Sequence, residues 1–332
     1  MNKNSNVLVT GGAGYIGSHT CKMLFNEGYN PVVYDNLSTG HRDFVKWGRF
    51  IYGDIQNTAK VISTIKEFEP VAVIHFSASA YVGESVLNPS KYYRNNVGGS
   101  LSLLDAMRIT GVDKIIFSST CATYGEPDEV PIGENCSQAP INPYGRSKLM
   151  IENILADYEY AYSMKHIALR YFNAAGADPG AEIGERHDPE THIIPLILKA
   201  AATGKEFKVF GDDYETKDGT CVRDYIHVSD LAAAHVKALK YMLSNMESNQ
   251  FNLGNGQGFS VNQIIESVRR VTGKKFPVKV EKRRAGDPPI LIGDNSKAKS
   301  LLNWKPAFTE IDEVIFTAWN WYQKENKIQI SK

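Results

Sequence analysis

A tyrosine and a lysine four residues apart have the clearest potential for proton transfer in this chain. They are Tyr144 and Lys148, within the segment NPYGRSK at residues 142–148. A phenol has an ordinary pKa of about 10 and is a poor base at neutral pH. A neighbouring ammonium favours the phenolate, so this pair could take a proton from a hydroxyl group and return it. By itself, the same pattern is also typical of a half-buried tyrosine beside a lysine that extends toward water.

The residues before the tyrosine predict a helix that holds the pair together. Asn142 is a favourable N-cap residue, and Pro143 suits the first helical position because that position leaves its N–H group unpaired. Side chains at positions i and i+4 of a helix lie one above the other. We therefore expect Tyr144 and Lys148 to share one face of a helix that begins at Pro143.

The N-terminal sequence predicts a turn that binds a dinucleotide. A short apolar strand at residues 6–10 is followed by the segment GGAGYIG at residues 11–17 and by a helix from residue 18 to 26. Glycines at this point let a pyrophosphate approach the backbone and the helix N-terminus. Asp35 closes the next predicted strand, where a carboxylate can accept a hydrogen bond from an adenosine ribose. A carboxylate would repel a 2′-phosphate, so Asp35 favours NAD over NADP.

Strands and helices alternate through the first half of the chain. The predicted strands lie at residues 50–52, 71–75, 114–117 and 167–170, and the predicted helices at 58–68, 88–110 and 144–162. This alternation predicts an α/β fold with a doubly wound parallel sheet of the Rossmann type. We expect residues 1–173 to form the NAD-binding domain. Residues 174–332 would form a smaller, mixed α/β substrate lobe, with some segments returning to the first domain.

Several polar residues lie at the expected ligand-binding edge of this sheet. Ligands of open parallel sheets bind at the carboxyl ends of the strands. Asp54, the turn at residues 76–80 and the hydroxyl-rich segment at residues 118–120 fall there. The hydroxyl groups could instead satisfy their own backbone. His75 ends a buried strand, and we expect it to be structural.

Composition excludes several classes of partner. The 332 residues contain 37 Lys and Arg and 37 Asp and Glu, so no excess charge attracts nucleic acid or an anionic membrane. No stretch reaches the roughly 18 apolar residues of a membrane span, and the N-terminus lacks the pattern of a signal peptide. The four cysteines are widely spaced, as is typical of reduced thiols. We expect a cytoplasmic protein without a metal site.

Motifs between residues 11 and 287 resemble those of the UDP-glucose 4-epimerase (UDP-galactose 4-epimerase) family, which belongs to the extended short-chain dehydrogenases/reductases. They are GGAGYIGSHT, DNLSTG, VGES, YYRNNV, SSTCATYGE, NPYGRSK, RYFNAAGA, RDYIHVSDLA and RRAGD. Members of this family use tightly bound NAD to oxidise the sugar 4-hydroxyl and then reduce the ketone from its opposite face. The resemblance implies reversible inversion at C4 of a UDP-hexose. It also implies a homodimer, with 88–110 and 144–162 as the candidate interface helices.

The resemblance implies roles for individual residues. Tyr144 matches the catalytic base, Thr120 the hydroxyl relay to the sugar, and Lys148 the residue that binds the nicotinamide ribose and lowers the tyrosine pKa. The implied NAD contacts are Gly11, Gly14, Tyr15, Ile16, Gly17, Asp35, Asn36, Asp54, Ile55, Phe76, Lys148 and Tyr171. The implied UDP-sugar contacts are Thr120, Tyr144, Asn173, His192, Ile193, Phe210, Arg223, Arg284 and Asp287. The two arginines also have the forked donors that suit a diphosphate.

Two positions leave the preferred sugar open. Some family members carry a lysine after the fourth strand, where this chain has Ala80 and Tyr81. Leu291 matches a position on the sugar-facing wall, and its intermediate size is compatible with sugars with or without an N-acetyl group. UDP-N-acetylhexosamine, UDP-xylose and UDP-glucuronate are therefore alternative substrates.

Two other functions share this fold. Nucleotide-sugar 4,6-dehydratases carry an Asp-Glu pair directly after the active-site threonine, whereas this chain has Cys121 and Ala122, which cannot act as that acid and base. A non-catalytic protein that senses NAD would need the glycines but not the base. The intact Thr120, Tyr144 and Lys148 argue against such a sensor.

Overall fold

The computed structural model describes residues 5–283 and 287–326. The first half contains β1 (Asn6–Thr10), α1 (Tyr15–Asn26), β2 (Asn30–Asp35), β3 (Arg49–Tyr52), α2 (Thr58–Phe68), β4 (Ala72–His75), α3 (Val82–Leu87), α4 (Pro89–Tyr92), α5 (Gly99–Thr110), β5 (Lys114–Thr120), α6 (Pro143–Tyr162) and β6 (Lys165–Tyr171). The second half contains β7 (Asn173–Ala175), α7 (Ile193–Thr203), β8 (Phe207–Phe210), β9 (Val222–His227), α8 (Val228–Asn245), β10 (Asn249–Leu253), β11 (Gly258–Ser260), α9 (Val261–Thr272), β12 (Val278–Glu281), β13 (Ile290–Leu291), α10 (Ser296–Leu301) and α11 (Ile311–Asn326).

A parallel sheet forms the centre of the molecule. Within the described residues it has seven strands, in the order β10-β6-β5-β4-β1-β2-β3. Val7 and Val9 of β1 pack with α1 and α8 on one face, and Leu8 packs with α2 and α5 on the other. Successive side chains of a strand point to opposite faces, so helices bury both sides of the sheet. The predicted doubly wound α/β fold is confirmed.

The second half of the chain contributes to this sheet and also builds separate elements. Strand β10 pairs in parallel with β6, with Phe251 beside Leu169, and α8 packs against α1. The remaining strands form a group in which β7, β11 and β13 each pair with β9, and a parallel pair of β8 and β12. Helices α7, α9 and α11 enclose a second apolar core. The domain boundary at residue 173 stays a prediction.

The helix expected at residues 88–110 is interrupted by a π-helical turn. This turn spans Tyr93–Gly98 and separates α4 from α5. It carries Asn96, a fully buried residue whose side chain bonds both the N–H and the C=O of Ser79, at 2.8 and 3.1 Å. The same side chain donates to Ser147 Oγ at 3.0 Å. π-Helical turns often occur at functional sites, and this one joins the turn after β4 to helix α6.

Two element boundaries differ from the sequence prediction near the proposed site. Helix α1 begins at Tyr15, so Gly17 lies inside the helix. The sequence pattern instead predicted that Gly17 lies in the turn and that the helix begins at residue 18. Strand β5 extends through Thr120, so the three hydroxyl residues expected to follow the strand belong to it. Backbone pairing with β6, which places Thr120 beside Tyr171, continues the strand beyond the apolar run. None of the helices in the described part of the chain has the length and hydrophobicity needed to cross a membrane.

Candidate active site

Helix α6 begins as predicted and is drawn close to the end of β5. The Asn142 side chain caps it by accepting from Gly145 N at 2.8 Å, and Pro143 occupies the first turn. A Cβ atom at Gly145 would lie 2.5 Å from the backbone oxygen of Ala122. Glycine therefore allows the first turn of α6 to approach the segment that follows Thr120.

This close approach places the Tyr144 phenol beside the hydroxyl group of Thr120. The tyrosine is half-buried, and Thr120 is buried. Loss of solvent raises the pKa of Tyr144 to about 12, although its hydrogen bond with Thr120 lowers that pKa. The lowered pKa expected for a base is not found in the protein alone, because burial outweighs the effect of the hydrogen bond.

Lys148 lies on the same side of α6, one turn further along. Its Nζ is 5.9 Å from the centre of the Tyr144 ring and donates to the Ser118 backbone oxygen at 2.7 Å. The side chain is only 2% exposed. Burial lowers the pKa of the Lys148 ammonium to about 7, and the Glu152 carboxylate partly opposes this shift. An ammonium has three donors, and one of them serves Ser118.

A buried ion pair lies below this site. Arg170 of β6 bonds the Glu152 carboxylate of α6, with Nη2 and Oε2 2.6 Å apart. Ser119, next to Thr120, donates to the same carboxylate. The pair thus connects α6, β5 and β6 beneath the proposed proton-transfer residues. Sequence reasoning missed it, although Glu152 lies four residues after Lys148 and hence on the same helix face.

The glycine-rich turn has the shape expected of a phosphate-binding turn. Gly11 has a φ of +73°, and a Cβ atom there would lie 2.7 Å from Ser77 N. Gly14 is the N-cap of α1 and supplies no side chain to the helix terminus. The backbone is therefore open at the start of α1, where an anion would be favoured by N–H groups and the helix dipole.

The Asp35 carboxylate lies beside this turn and bonds backbone groups. It accepts from Ala13 N at 3.0 Å and from Leu37 N at 2.8 Å. It is almost completely buried, and this burial raises its pKa. Asn36 donates to Asp54 at 2.8 Å and so joins the ends of β2 and β3. These residues lie together at the carboxyl edge of the sheet, where the sequence placed them.

The other expected cofactor contacts fall into two environments. Phe76 and Tyr171 both approach the ring of His235, at centroid distances of 4.7 and 6.0 Å, and Tyr171 also bonds Ser118. They lie at the carboxyl ends of β4 and β6. Ile16 and Ile55 instead pack into the apolar layers on opposite faces of the sheet. Any cofactor contact from these two would involve their backbone or the edge of the side chain.

Residues expected to bind the substrate lie on β7, β9 and β13. Asn173 donates to the Asp224 backbone oxygen at 3.0 Å, and Arg223 forms an ion pair with Asp287. Leu291 is the strand partner of Arg223, and its side chain packs in a cluster that includes Cys121. Phe210 is the last residue of β8, which pairs with β12 and does not belong to the group of strands around β9. Arg284 lies outside the described residues.

His192 and Ile193 lie at the start of α7, in an acidic surrounding. His192 Nδ1 is 2.9 Å from Glu185 Oε1 and 3.0 Å from Glu190 Oε1. Those two carboxylates raise the pKa of His192 to about 10 despite its burial. Sequence reasoning singled out His192 but neither glutamate. The spacing E-x-H-x-x-E-x-H from residue 185 to 192 was the signal that could have found them.

Comparison with known proteins decides the family. A profile described as "NAD dependent epimerase/dehydratase family" matches residues 7–254. This chain belongs to that family. It is 51% identical to a UDP-glucose 4-epimerase from Rhizobium leguminosarum bv. trifolii, over 97% of this chain and 98% of that protein. The predicted resemblance to UDP-glucose 4-epimerases is therefore confirmed.

Solved structures agree with this family membership. One is the UDP-glucose 4-epimerase from Brucella ovis in complex with NAD, which is 56% identical with a TM-score of 0.93 and covers 95% of this chain and 98% of its own. Another is the enzyme from Stenotrophomonas maltophila with bound NAD and formylated UDP-arabinopyranose. It is 38% identical with a TM-score of 0.95 and covers 98% of this chain and 100% of its own.

Proposed function

We propose that this protein is an NAD-dependent isomerase that inverts C4 of a UDP-hexose and so interconverts UDP-glucose and UDP-galactose. The observation that carries the proposal is the grouping of Tyr144, Thr120 and Lys148 at the carboxyl end of β5. The near full-length identity to UDP-glucose 4-epimerases supports the same reaction. The absence of an acidic pair at Cys121 and Ala122 supports inversion over dehydration.

The residues at the carboxyl edge of the sheet fit NAD. Gly14 leaves the backbone open to a pyrophosphate at the start of α1, and Gly11 and Gly17 let this turn pack closely, against Ser77 and against the Gly11 backbone respectively. The Asp35 carboxylate would accept from the adenosine ribose, and Lys148 has N–H donors for the nicotinamide ribose. NAD, when bound, supplies the hydride acceptor and donor for the sugar. The protein's own task is to orient the two partners and to move the proton.

Tyr144 moves that proton in the proposed mechanism. Thr120 holds the sugar 4-hydroxyl and passes its proton to the phenolate of Tyr144. The phenol pKa of about 12 must fall for this step, and a nearby positive charge lowers such a pKa. Lys148 and the positive nicotinamide are the cations available in the proposed complex. After the sugar has turned over, Tyr144 returns the proton to the oxygen at C4.

The ion pair of Arg223 and Asp287 marks the proposed nucleotide end of the substrate site. Arg223 would turn its forked donors to the diphosphate, and Asp287 would accept from the uridine ribose. Arg284, Asn173 and Phe210 complete this expected set, with His192 and Ile193 beside the uracil. Leu291 connects the two ends, because it pairs with Arg223 and packs, as Cys121 does, against the buried cluster of Tyr124, Ile132 and Phe172.

Incubation of the purified protein with UDP-galactose tests the proposal. We expect UDP-glucose to form without added NAD, and denaturation should release bound NAD. A panel of UDP-N-acetylglucosamine, UDP-xylose and UDP-glucuronate, each tested for inversion at C4, would then show which sugars fit beside Leu291. A protein that inverts none of these sugars and purifies without NAD would contradict the proposal. Release of water, with formation of a 4-keto-6-deoxy sugar, would support a dehydratase instead.

We also propose that the protein is a homodimer. The outer faces of α5 and α6 expose large apolar side chains, as expected of an interface. They include Leu101, Ile109, Met150, Tyr160 and Tyr162.

The location of the protein in the cytoplasm stays a prediction.

A further inference from the structure

Four metal-ligating side chains converge at the start of α7, outside the proposed proton-transfer site. Glu185, His187, Glu190 and His192 each present one ligand atom, and these four atoms lie within 4.8 Å of one another. From this geometry we propose that the protein binds one divalent transition-metal ion here, with zinc the best match. The inference does not depend on the proposed epimerase activity, and it goes against the sequence prediction of no metal site.

The ligand atoms lie close to the spacing of a tetrahedral metal site. His192 Nδ1 lies 2.9 Å from Glu185 Oε1 and 3.0 Å from Glu190 Oε1, and His187 Nδ1 lies 3.4 Å from Glu185 Oε1 and 3.5 Å from the other Glu190 oxygen, Oε2. Zinc binds histidine nitrogen and carboxylate oxygen at about 2.0–2.2 Å, so the edges of its tetrahedron measure about 3.4 Å. Because the four atoms lie within 4.8 Å of one another, rotations of these side chains would bring them to bonding distance around one ion.

One nitrogen in the cluster has only long contacts to its partners. His187 Nδ1 is buried and lies 3.4 Å from the Glu185 carboxylate and 3.5 Å from that of Glu190, distances too long for a good hydrogen bond. The two carboxylates nevertheless raise the pKa of His187 to about 8 despite its burial. A metal ion between His187 Nδ1 and the two carboxylates would replace these long contacts by bonds of about 2.0–2.2 Å.

Charge and ligand type agree with a divalent ion. In the metal-free protein the two carboxylates pair with the protonated His192. Metal binding requires neutral imidazoles and would release that proton, and the four ligands would then carry a net charge of −2, which one divalent cation would neutralise. Glu185 is almost completely buried, with 7% of its side chain exposed, so the ion would replace His192 as the partner of a buried charge. Nitrogen and oxygen ligands in a tetrahedron favour zinc over calcium or magnesium, which prefer six or more oxygen ligands.

The surrounding structure fixes the segment that carries the ligands. Trp321 donates to the Glu185 backbone oxygen at 3.1 Å, and His41 contacts the Arg186 backbone oxygen at 3.0 Å. Glu190 accepts from the N–H groups of Thr191 and His192, both at 2.8 Å. The ligands are thus attached to α11, to the segment after β2 and to the start of α7. Coordination through Nδ1 would leave His192 Nε2 available for the expected substrate contact.

The test is a metal titration of the full-length protein after treatment with a chelator. Calorimetry with Zn²⁺ should show one site per chain, and Co²⁺ should give the visible absorption of a tetrahedral site. His187→Gln should weaken binding by at least about 10-fold, since even residues outside the ligand shell have effects of that size. His166→Gln is the matched control. Its Nδ1 also lies 3.5 Å from a carboxylate, that of Glu159, but it is outside the cluster.

Three outcomes would overturn the proposal. They are no Zn²⁺ binding by the wild-type protein at micromolar concentrations, equal binding by His187→Gln, and thiolate bands in the Co²⁺ spectrum that assign the metal to cysteines. Circular dichroism and bound NAD content would verify that each variant is folded. If His187→Gln does not fold, Glu190→Gln serves as the second ligand variant, with the same expected loss. Unchanged binding in Glu190→Gln would equally contradict the proposed site.

Discussion

At the scale of single residues, opposed shifts in pKa define the site. Burial raises the pKa of the Tyr144 phenol to about 12 and lowers that of the Lys148 ammonium to about 7. Both shifts favour the neutral forms, so the protein alone does not provide a phenolate beside an ammonium. The proposed mechanism therefore depends on the additional positive charge of bound NAD. This dependence would couple proton removal to cofactor occupancy.

Replacing the proposed base should remove activity without harming the fold. Tyr144→Phe lacks the oxygen that accepts the proton, and we expect turnover of UDP-galactose to fall by about 10²–10⁴-fold. Thermal stability and NAD content should stay close to those of the wild type. Tyr241→Phe, which removes a surface hydroxyl of α8 that bonds Glu247, is the control and should be fully active. A wild-type rate for Tyr144→Phe would refute the assignment.

The buried lysine gives a prediction about stability and pH. The folded pKa of Lys148 is about 7, below the ordinary value of 10.5, so the native state binds this proton less readily than the unfolded state. Its burial therefore costs the most stability below pH 7, and the cost disappears as pH rises toward 10.5. In NAD-free protein, Lys148→Met should raise the free energy of unfolding at pH 6 by about 1–3 kcal/mol.

This gain should shrink as the pH approaches 10. Denaturant unfolding at pH 6, 8 and 10 measures it, with Lys165→Met, at a lysine of β6 whose side chain is 29% exposed, as the control. A gain that is independent of pH would contradict the lowered pKa of Lys148.

At the scale of elements, the first turn of α6 connects helix stability to chemistry. Asn142 caps this helix, and Tyr144 lies in its first turn. Asn142→Ala should cost about 1 kcal/mol of unfolding free energy and should also lower turnover, because the first turn loses its fixed geometry. Ser260→Ala removes the cap of α9 and should cost a similar amount without changing turnover. Equal turnover in both variants would argue against this connection.

The ion pair of Arg170 and Glu152 connects three elements, and breaking it should lower the free energy of unfolding substantially. Glu152→Gln leaves the Arg170 guanidinium buried without its charged partner, and we expect a loss of about 3–5 kcal/mol. Glu159→Gln breaks a more exposed pair with Lys165 on the same two elements, and should cost about 0–1 kcal/mol. Chemical denaturation of both variants provides the comparison. Similar losses would mean that burial does not strengthen the inner pair.

At the scale of the whole molecule, the exposed apolar faces of α5 and α6 form the interface that we propose for a homodimer. If these faces form the dimer, Met150→Glu places a charge in the interface, and the mass in solution should fall toward that of one chain. Phe316→Glu alters a similarly exposed residue on α11 and is the control. Analytical ultracentrifugation at micromolar concentration measures both. A monomeric wild-type protein, or an unaffected dimer in Met150→Glu, would contradict the proposed interface.

The sequence by itself determined the elements whose signals are local. The apolar runs that alternate with helical segments specified the parallel sheet, and glycines specified the turn after β1. Asn142 and Pro143 specified the start of α6, since capping depends on residues within one turn. The family resemblance carried by these motifs was also correct, because the motifs span almost the whole chain.

Only the tertiary structure decided what depends on contacts between distant residues. The π-helical turn at 93–98 is held by Asn96 bonds to Ser79 and Ser147, which no local pattern encodes. Burial set the pKa of Tyr144 and Lys148, and burial is a property of the whole fold. The four ligands near α7 span only eight residues, yet their convergence is set by contacts with α11 and with the segment after β2. The spacing of residue types in the sequence identifies such candidates, but tertiary packing determines whether their ligand atoms lie close together.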